Sequence, residues 1–289
     1  MRFKQLRIEN TNLCAYRCIV CPREKHTRPT GIMSVDELEF VLGRVNGHTP
    51  EIHLHGYGEP LLDKNLLEKI NLVRKLRPES KIVFFSTLGV RLNDGYFKRL
   101  ATSGISAIRI SCYGFSPSTY KAMHGVDMFK TVCDNMQKLF ETRIGAGKCF
   151  DIFAITTSKG SWKNVSDKEM QIRDTFIQWI RSAGAYLEEE FFPHNYGGGR
   201  NYRKIPSQGL CSIVWGKRRD ILQITWDMKV IPCCFDYNAG VVFGDLRTQS
   251  LDEIFSSEAY LKFIKAHQEN QLNDYPVCLG CERCFEASV

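Results

Sequence analysis

Between Ile8 and Arg23, Cys14, Cys18 and Cys21 stand in a Cys-x3-Cys-x2-Cys arrangement. No other feature of the chain constrains its fold and chemistry so tightly. Three thiolates this close in sequence can grip one metal centre from a single loop. They leave a coordination position unfilled, and an open position separates a reactive metal site from a closed structural one. Two plainer alternatives stay open on spacing alone: a zinc knuckle whose fourth ligand lies elsewhere, and unconnected core thiols, since free cysteine is a common buried residue.

Cysteine usage also bears on compartment. The chain has 289 residues, twelve of them cysteine. Its opening segment, MRFKQLRIEN, lacks the continuous apolar core of a signal peptide, and no run approaches the roughly 18 apolar residues of a membrane span. We therefore expect a cytoplasmic protein that does not engage a membrane, with cysteines serving metals or catalysis rather than a disulfide framework. A hydrophobic content of 43% can fill one large core and a small one. The net charge of +7 is scattered, apart from short clusters such as Lys217 to Arg219, and no basic, aromatic-interleaved stripe marks a nucleic-acid surface. Nucleic acid is not expected as a partner.

The chain reads as strands alternating with helices, which argues for a parallel sheet. Phe3 to Glu9 alternates apolar and polar residues as a half-buried strand does, and Ser34 with Glu37 forms a capping box that opens a helix. Strand and helix then recur: Glu51 to Gly56 with Lys64 to Leu76, and Lys81 to Ser86 with Asp94 to Ser103. Ile105 to Cys112 precedes helical stretches between Ser116 and Thr142, Cys149 to Thr156 precedes Asp167 to Ala183, and Tyr186 to Pro193 closes the series. These helices supply the crossovers that parallel strands need. Ligand sites in such architectures gather at the carboxyl ends of strands, where the cysteine loop follows the first one. The polar, Gly-rich stretch His194 to Arg203 reads as a loop leaving the series, with a boundary between Gly199 and Gln208. Residues 1–200 then form one domain and 208–289 a second.

The second domain holds Cys211, Cys233, Cys234, Cys278, Cys281 and Cys284. Ile221 to Trp226 and Lys229 to Pro232 look like a hairpin turning at Asp227-Met228, delivering Cys233 at a strand end. Gly244 to Phe255 and Glu258 to His267 read as a loop and helices leading to PVCLGCERC. So small a segment buries little apolar surface, and a metal centre would staple it; Cys-x2-Cys-x2-Cys alone could equally hold zinc. Cys112, Cys133 and Cys149 fall in periodic strand or helix patterns and read as core.

Together, the amino-terminal cysteine loop and the segment Gly56, Tyr57, Gly58, Glu59, Pro60 resemble the radical SAM superfamily. The carboxyl-terminal pattern of Cys211, Pro232-Cys233, Gly244-Asp245-Leu246, Cys278 and Cys281 resembles its twitch or SPASM-type auxiliary-cluster extension. The resemblance implies an α/β fold, a partial (β/α)6 TIM-like barrel with a small C-terminal α+β iron–sulfur domain. It implies S-adenosyl-L-methionine and two [4Fe–4S] clusters as cofactors. Cys14, Cys18 and Cys21 would hold the first cluster, whose fourth iron S-adenosylmethionine chelates; Cys211, Cys233, Cys278 and Cys281 would hold the second, with Cys284 able to replace a neighbour. The Gly56 to Pro60 segment, with Tyr57 where many members have glycine, would contact the amino group of S-adenosylmethionine, and Val20 would pack against adenine. Ser86, Thr87 and Ser111 would touch the methionine carboxylate or ribose; the alternative is strand-end hydroxyls bonding their own turn.

The activity so implied is that of a radical SAM oxidoreductase. An electron donor such as flavodoxin or ferredoxin reduces the first cluster, S-adenosylmethionine is cleaved, and the resulting 5′-deoxyadenosyl radical removes a hydrogen atom from the substrate, while the protein binds, orients and excludes water. The HxYGEPLL and Pro-Cys segments further resemble the aminocyclitol radical SAM dehydrogenases of aminoglycoside biosynthesis. We expect dehydrogenation of a sugar, aminocyclitol or peptide, with the second cluster taking the electron left on the substrate, because a full second ligand set is visible. The competing expectation is an epimerase with Cys234 as catalytic hydrogen-atom donor. If the strand through Cys233 continues, Cys234 points to the opposite face; a spare buried thiol is the plain alternative. A metal-stapled module that binds nucleic acid or protein has no use for the long strand–helix series. Tyr196, Arg200, Tyr202 and Lys217 to Arg219 are candidates for lining a substrate pocket.

Overall fold

The computed structural model describes residues 3–45, 47–157, 166–190, 194–201, 211, 214 and 220–282. In chain order the elements begin with β1 (Gln5–Ile8), α1 (Val35–Arg44), β2 (Glu51–Leu54), α2 (Leu66–Leu76), β3 (Lys81–Ser86) and α3 (Asp94–Thr102). Next come β4 (Ala107–Ser111), α4 (Pro117–His124), α5 (Phe129–Gly145), β5 (Asp151–Thr157), α6 (Asp167–Ser182) and β6 (Tyr186–Glu190). The carboxyl-terminal part carries β7 (Ile221–Ile224), β8 (Lys229–Ile231), β9 (Gly244–Asp245), α7 (Leu251–Phe255), α8 (Glu258–Gln268) and α9 (Pro276–Leu279). The chain divides into two bodies, one of Met1–Leu13, Pro22–Gly58 and His194–Val289, the other of Cys14–Cys21 and Glu59–Pro193.

In the first body β1 is flanked by two parallel neighbours, with Leu6 opposite Ile52 of β2 and Leu222 of β7. The hairpin expected from sequence thus also extends the sheet beside the first strand. Its turn works because Met228 adopts a left-handed φ of 60° and Thr225 Oγ1 accepts the Lys229 N–H at 3.0 Å. Helix α1 starts at the expected capping box: Ser34 Oγ accepts the Glu37 N–H at 3.0 Å and the Glu37 carboxylate accepts the Ser34 N–H at 2.6 Å. Edge-on rings of Phe243, Phe255, Tyr260, Phe263 and Tyr275 pack together around the carboxyl-terminal helices.

In the second body β3, β4, β5 and β6 run parallel in that order. Phe84, Ile108, Ile110, Ile152 and Ala154 are buried on them, and Leu100, Met136 and Leu139 are buried on the crossover helices. Near-continuous apolar strands are what a parallel sheet covered on both faces requires.

Three expectations need correction. Gly244-Asp245 is not a loop but the short strand β9, since its backbone pairs antiparallel with β8. Strand β8 ends at Ile231, before Pro232, which cannot donate to a ladder, so the argument that placed Cys234 on the face opposite Cys233 does not apply. Cys149 is exposed and Cys133 half-buried, whereas Cys112 is buried in the core as expected; Cys149 precedes β5 instead of lying in it. The end of the last expected strand, residues 191–193, lies outside the described residues.

Candidate metal centres

In the second body, Cys14, Cys18 and Cys21 are half-buried. Burial pushes the Cys18 thiol up, and the nearby Cys21 and Cys14 thiols push it further, so the three share one electrostatic neighbourhood. Three thiolates can coexist there once a cationic centre offsets their repulsion, the usual coupling of thiol deprotonation to metal binding. Among the described residues no three His, Cys, Asp or Glu side chains converge as ligands of a single ion do. Three thiolates on one loop are the donor set that a four-iron core takes, so the loop fits such a group. The loop is stitched down by backbone: Arg17 N–H donates to the His124 carbonyl at 3.1 Å, Ile19 N–H to Met123 at 2.9 Å and Cys21 N–H to Cys18 at 3.0 Å. Val20 is buried while its neighbour Ile19 is 45% exposed.

The same body holds Glu59, whose buried carboxylate accepts from Ser86 Oγ at 2.7 Å, Thr87 N at 2.8 Å, Thr87 Oγ1 at 2.7 Å and Leu61 N at 3.2 Å. Burial raises its pKa and these donors oppose the rise. Ser86 Oγ also accepts the Leu88 N–H at 2.8 Å, where Leu88 has φ 57°. The hydroxyls at the end of β3 therefore serve both their own turn and Glu59, a link no sequence pattern suggests. Pro60 is buried at the head of a short 3-10 turn, Pro60–Leu62, and Ser111 closes β4 half-buried.

The first body holds Gly56, Tyr57 and Gly58. A Cβ on Gly56 would lie 2.3 Å from Glu9 Cγ, and one on Gly58 would lie 2.4 Å from the Thr11 carbonyl oxygen, so close approach accounts for both glycines. Glu9, which sequence reasoning missed, accepts the Tyr57 N–H at 3.1 Å and the Trp226 N–H at 3.2 Å. The Tyr57 hydroxyl donates to the Cys234 carbonyl, and its ring lies 5.2 Å from His26 and 5.9 Å from Tyr237. His26 is held to a pKa of about 4, chiefly by burial and then by Arg28 and Arg23.

Also in this body, burial raises the Cys233 thiol well above its ordinary range, and Cys234, Cys278 and Cys281 add to the shift in that order. Cys233 therefore shares one neighbourhood with Cys278 and Cys281. Arg7 Nη1 on β1 lies 3.3 Å from Cys234 Sγ. Cys211, Cys278 and Cys281 are buried. The stretch expected to leave the barrel has another task here. His194 Nδ1 is 2.6 Å from Glu282 Oε1, Asn195 N–H donates to Glu282 Oε2 at 2.9 Å, and Asn195 Nδ2 donates to the Gly280 carbonyl at 3.0 Å. It thus clamps the segment that carries Cys278 and Cys281. Tyr196 lies 5.3 Å from the Phe235 ring, and Arg200 pairs with Glu24. Cys284, Tyr202 and Lys217 to Arg219 lie outside the described residues.

Residues 8–156, just over half the chain, match the family model of the radical SAM superfamily, and residues 211–284 match that of the SPASM iron–sulfur cluster-binding domain. The GTP 3',8-cyclase of Klebsiella pneumoniae (strain 342) is 29% identical over 185 residues, covering 62% of this chain and 52% of that protein. That of Yersinia pestis is 27% identical over 237 residues, covering 79% and 65%. The chain thus spans between half and two thirds of the length of these curated relatives. Among solved structures, BtrN in complex with AdoMet and 2-DOIA gives a TM-score of 0.63 at 18% identity, over 100% of this chain and 96% of that one. The structure of anSMEcpe with bound AdoMet and Cp18Cys peptide gives 0.61 at 18% identity, over 98% and 91%. These likenesses show the fold, a partial (β/α)6 TIM-like barrel with a small C-terminal α+β domain, as expected from sequence. The two domain matches bring S-adenosylmethionine and [4Fe–4S] iron–sulfur centres as cofactors. No helix among the described residues is long and apolar enough to cross a membrane. The chain belongs to the radical SAM superfamily and carries a SPASM-type iron–sulfur extension.

Proposed function

We propose that this protein is a cytoplasmic radical SAM oxidoreductase that removes a hydrogen atom from a polar substrate and completes a dehydrogenation with an auxiliary cluster. Cys14, Cys18 and Cys21 hold the first [4Fe–4S] cluster; Gly56 to Pro60, Val20, Ser86 and Ser111 bind S-adenosylmethionine. Cys211, Cys233, Cys278 and Cys281 hold the second cluster, so that residues 1–200 carry the radical chemistry and 208–289 the auxiliary centre. The observation that carries this reading is the shared neighbourhood of the three loop thiols. Bound together, the first cluster and S-adenosylmethionine supply reductive cleavage of the sulfonium and, from it, abstraction of hydrogen. The chain's own residues bind and orient. Glu59, saturated by four donors, holds the Glu-Pro turn in one geometry; in the other body, Gly56 and Gly58 leave room for the close approach of Glu9 and Thr11. An electron donor such as flavodoxin or ferredoxin fits the need for a reduced first cluster.

Solved relatives support more than one substrate class. BtrN is seen with 2-DOIA, and anSMEcpe and SuiB of Streptococcus suis with peptides. One contact favours a second reading, an epimerase: the Arg7 guanidinium 3.3 Å from Cys234 Sγ holds that thiol in place. In that reading Cys234 returns a hydrogen atom to the substrate.

Anaerobically purified protein tests the proposal. It should carry about eight irons per chain, two four-iron clusters, and cleave S-adenosylmethionine only with reductant. Bound zinc without cleavage would overturn it in favour of a metal-stapled module.

A further inference from the structure

His124 ends helix α4 with its side chain fully buried. The imidazole is flanked by two nearly parallel rings, Tyr120 with centroids 4.1 Å apart at 20° and Tyr113 at 5.5 Å and 21°. Both ring nitrogens are engaged. The backbone N–H of Tyr113 donates to Nε2 at 3.1 Å, and Nδ1 stands 3.3 Å from Cys18 Sγ. A peptide N–H can only donate, so Nε2 holds a lone pair toward Tyr113 and carries no proton. The proton of the neutral ring is then on Nδ1, facing the sulfur.

Backbone fixes this contact. Arg17 and Ile19, on either side of Cys18, both donate their N–H groups to carbonyls of the last turn of α4, those of His124 and Met123. A helix end leaves such carbonyls without intrahelical partners, so loop and helix satisfy each other. Gly125 makes the approach feasible: it takes a left-handed φ of 71°, and a Cβ there would come 2.7 Å from the Arg17 carbonyl oxygen.

We propose that His124 is a positioning residue for the first cluster, donating a hydrogen bond from Nδ1 to the Cys18 sulfur and thereby raising the cluster's reduction potential. The inference rests on Cys14, Cys18 and Cys21 being cluster ligands. A donor aimed at a ligating sulfur stabilises the more negative, reduced core more than the oxidised one, and hydrogen bonds to sulfur are a recognised determinant of cluster potential. Because Tyr113 donates from its main chain, no side-chain change at Tyr113 removes the bond that selects the tautomer.

Two variants separate this role from packing. His124→Phe keeps a flat ring between the tyrosines and removes the donor; His124→Asn puts an amide N–H near the position of Nδ1. The measurement is an anaerobic redox titration of the electron paramagnetic resonance signal that responds to added S-adenosylmethionine, with iron content determined alongside. We expect H124F to keep its iron while its one-electron reduction equilibrium shifts about tenfold against reduction, 59 mV more negative, and H124N to recover most of the shift. An H124F cluster titrating with the wild type, or H124N titrating with H124F, would overturn the inference. A wild-type protein lacking any signal that responds to S-adenosylmethionine would overturn the ligand assignment beneath it instead. Should H124F fail to fold, pulsed resonance of wild-type protein with isotopically labelled histidine decides. Coupling of a histidine nitrogen to the reduced cluster is expected, and its absence contradicts the bond.

Discussion

Arg28 grips Glu9 as a two-pronged fork, Nη1 at 2.6 Å from Oε2 and Nη2 at 2.5 Å from Oε1, with the side chains only 10% and 2% exposed. Glu9 directly follows β1, and the same carboxylate accepts the N–H groups of Tyr57 and Trp226. One charged group therefore joins the segments that follow β1, β2 and β7. Arg28 in turn reaches the Tyr237 carbonyl at 2.9 Å through Nε, so the pair also anchors the loop beyond Cys233 and Cys234.

Removing Arg28 leaves the buried Glu9 charge without its counter-ion and with only the Tyr57 and Trp226 N–H groups to offset it. Arg28→Met should lower stability by about 3–5 kcal/mol, read as a lower urea midpoint. A midpoint equal to the wild type would show that Glu9 finds another partner.

Two glycines should respond in opposite directions. Gly58→Ala drives a Cβ to 2.4 Å from the Thr11 carbonyl oxygen, a backbone atom with no rotamer to yield, and should destabilise by about 1–3 kcal/mol. Gly43 lies within helix α1 with nothing within 4 Å of its added Cβ. Gly43→Ala should raise stability by roughly 0.5–1 kcal/mol through helix propensity. Thermal unfolding of both variants checks the contrast, and a stabilised G58A would contradict the close approach.

His267, buried on α8 with its ring 4.5 Å from Phe263, is held at a pKa of about 4 by burial, against the ordinary 6.5. Below pH 6.5 the unfolded chain takes up a proton that the folded ring refuses until about pH 4. The unfolded state binds more protons across that window, so stability falls as pH drops through it and levels off below. His267→Leu should flatten the slope of melting temperature against pH between these limits; an unchanged slope would mean the ring titrates normally when folded.

Cys234 divides the two enzymatic readings. In a dehydrogenase, Cys234→Ala should leave substrate turnover near the wild-type rate. In an epimerase, the variant should still form 5′-deoxyadenosine but lose epimerised product, because the donor that returns hydrogen is gone. Product analysis by mass spectrometry with solvent deuterium reads the difference directly.

The parts of this fold that sequence reveals are those set by near neighbours. Ser34 and Glu37 satisfy each other across one turn, and the apolar run Lys81–Ser86 forms β3 at its expected bounds. Contacts that close over long separations left no such trace. Glu9 with Arg28, Glu59 with Ser86, His124 with Cys18, and Asn195 with Glu282 each join residues whose types are common and whose spacing obeys no period. Strand β9 has only two residues, too few for an alternation to show. Pro232 was visible in the sequence, but that β8 ends just before it, at Ile231, depends on the path of the chain beyond it. The cysteine motifs were legible because a metal centre demands a residue type and a spacing together.

The proposed function stands on Cys14, Cys18 and Cys21 holding a cluster at which S-adenosylmethionine is split. The most direct measurement compares iron content and 5′-deoxyadenosine formation in anaerobic wild-type protein and the Cys14→Ala, Cys18→Ala and Cys21→Ala variants. We predict that each variant keeps the auxiliary cluster, falls from about eight irons to about four, and forms no 5′-deoxyadenosine. Variants that retain full iron and cleave S-adenosylmethionine at the wild-type rate would contradict the account.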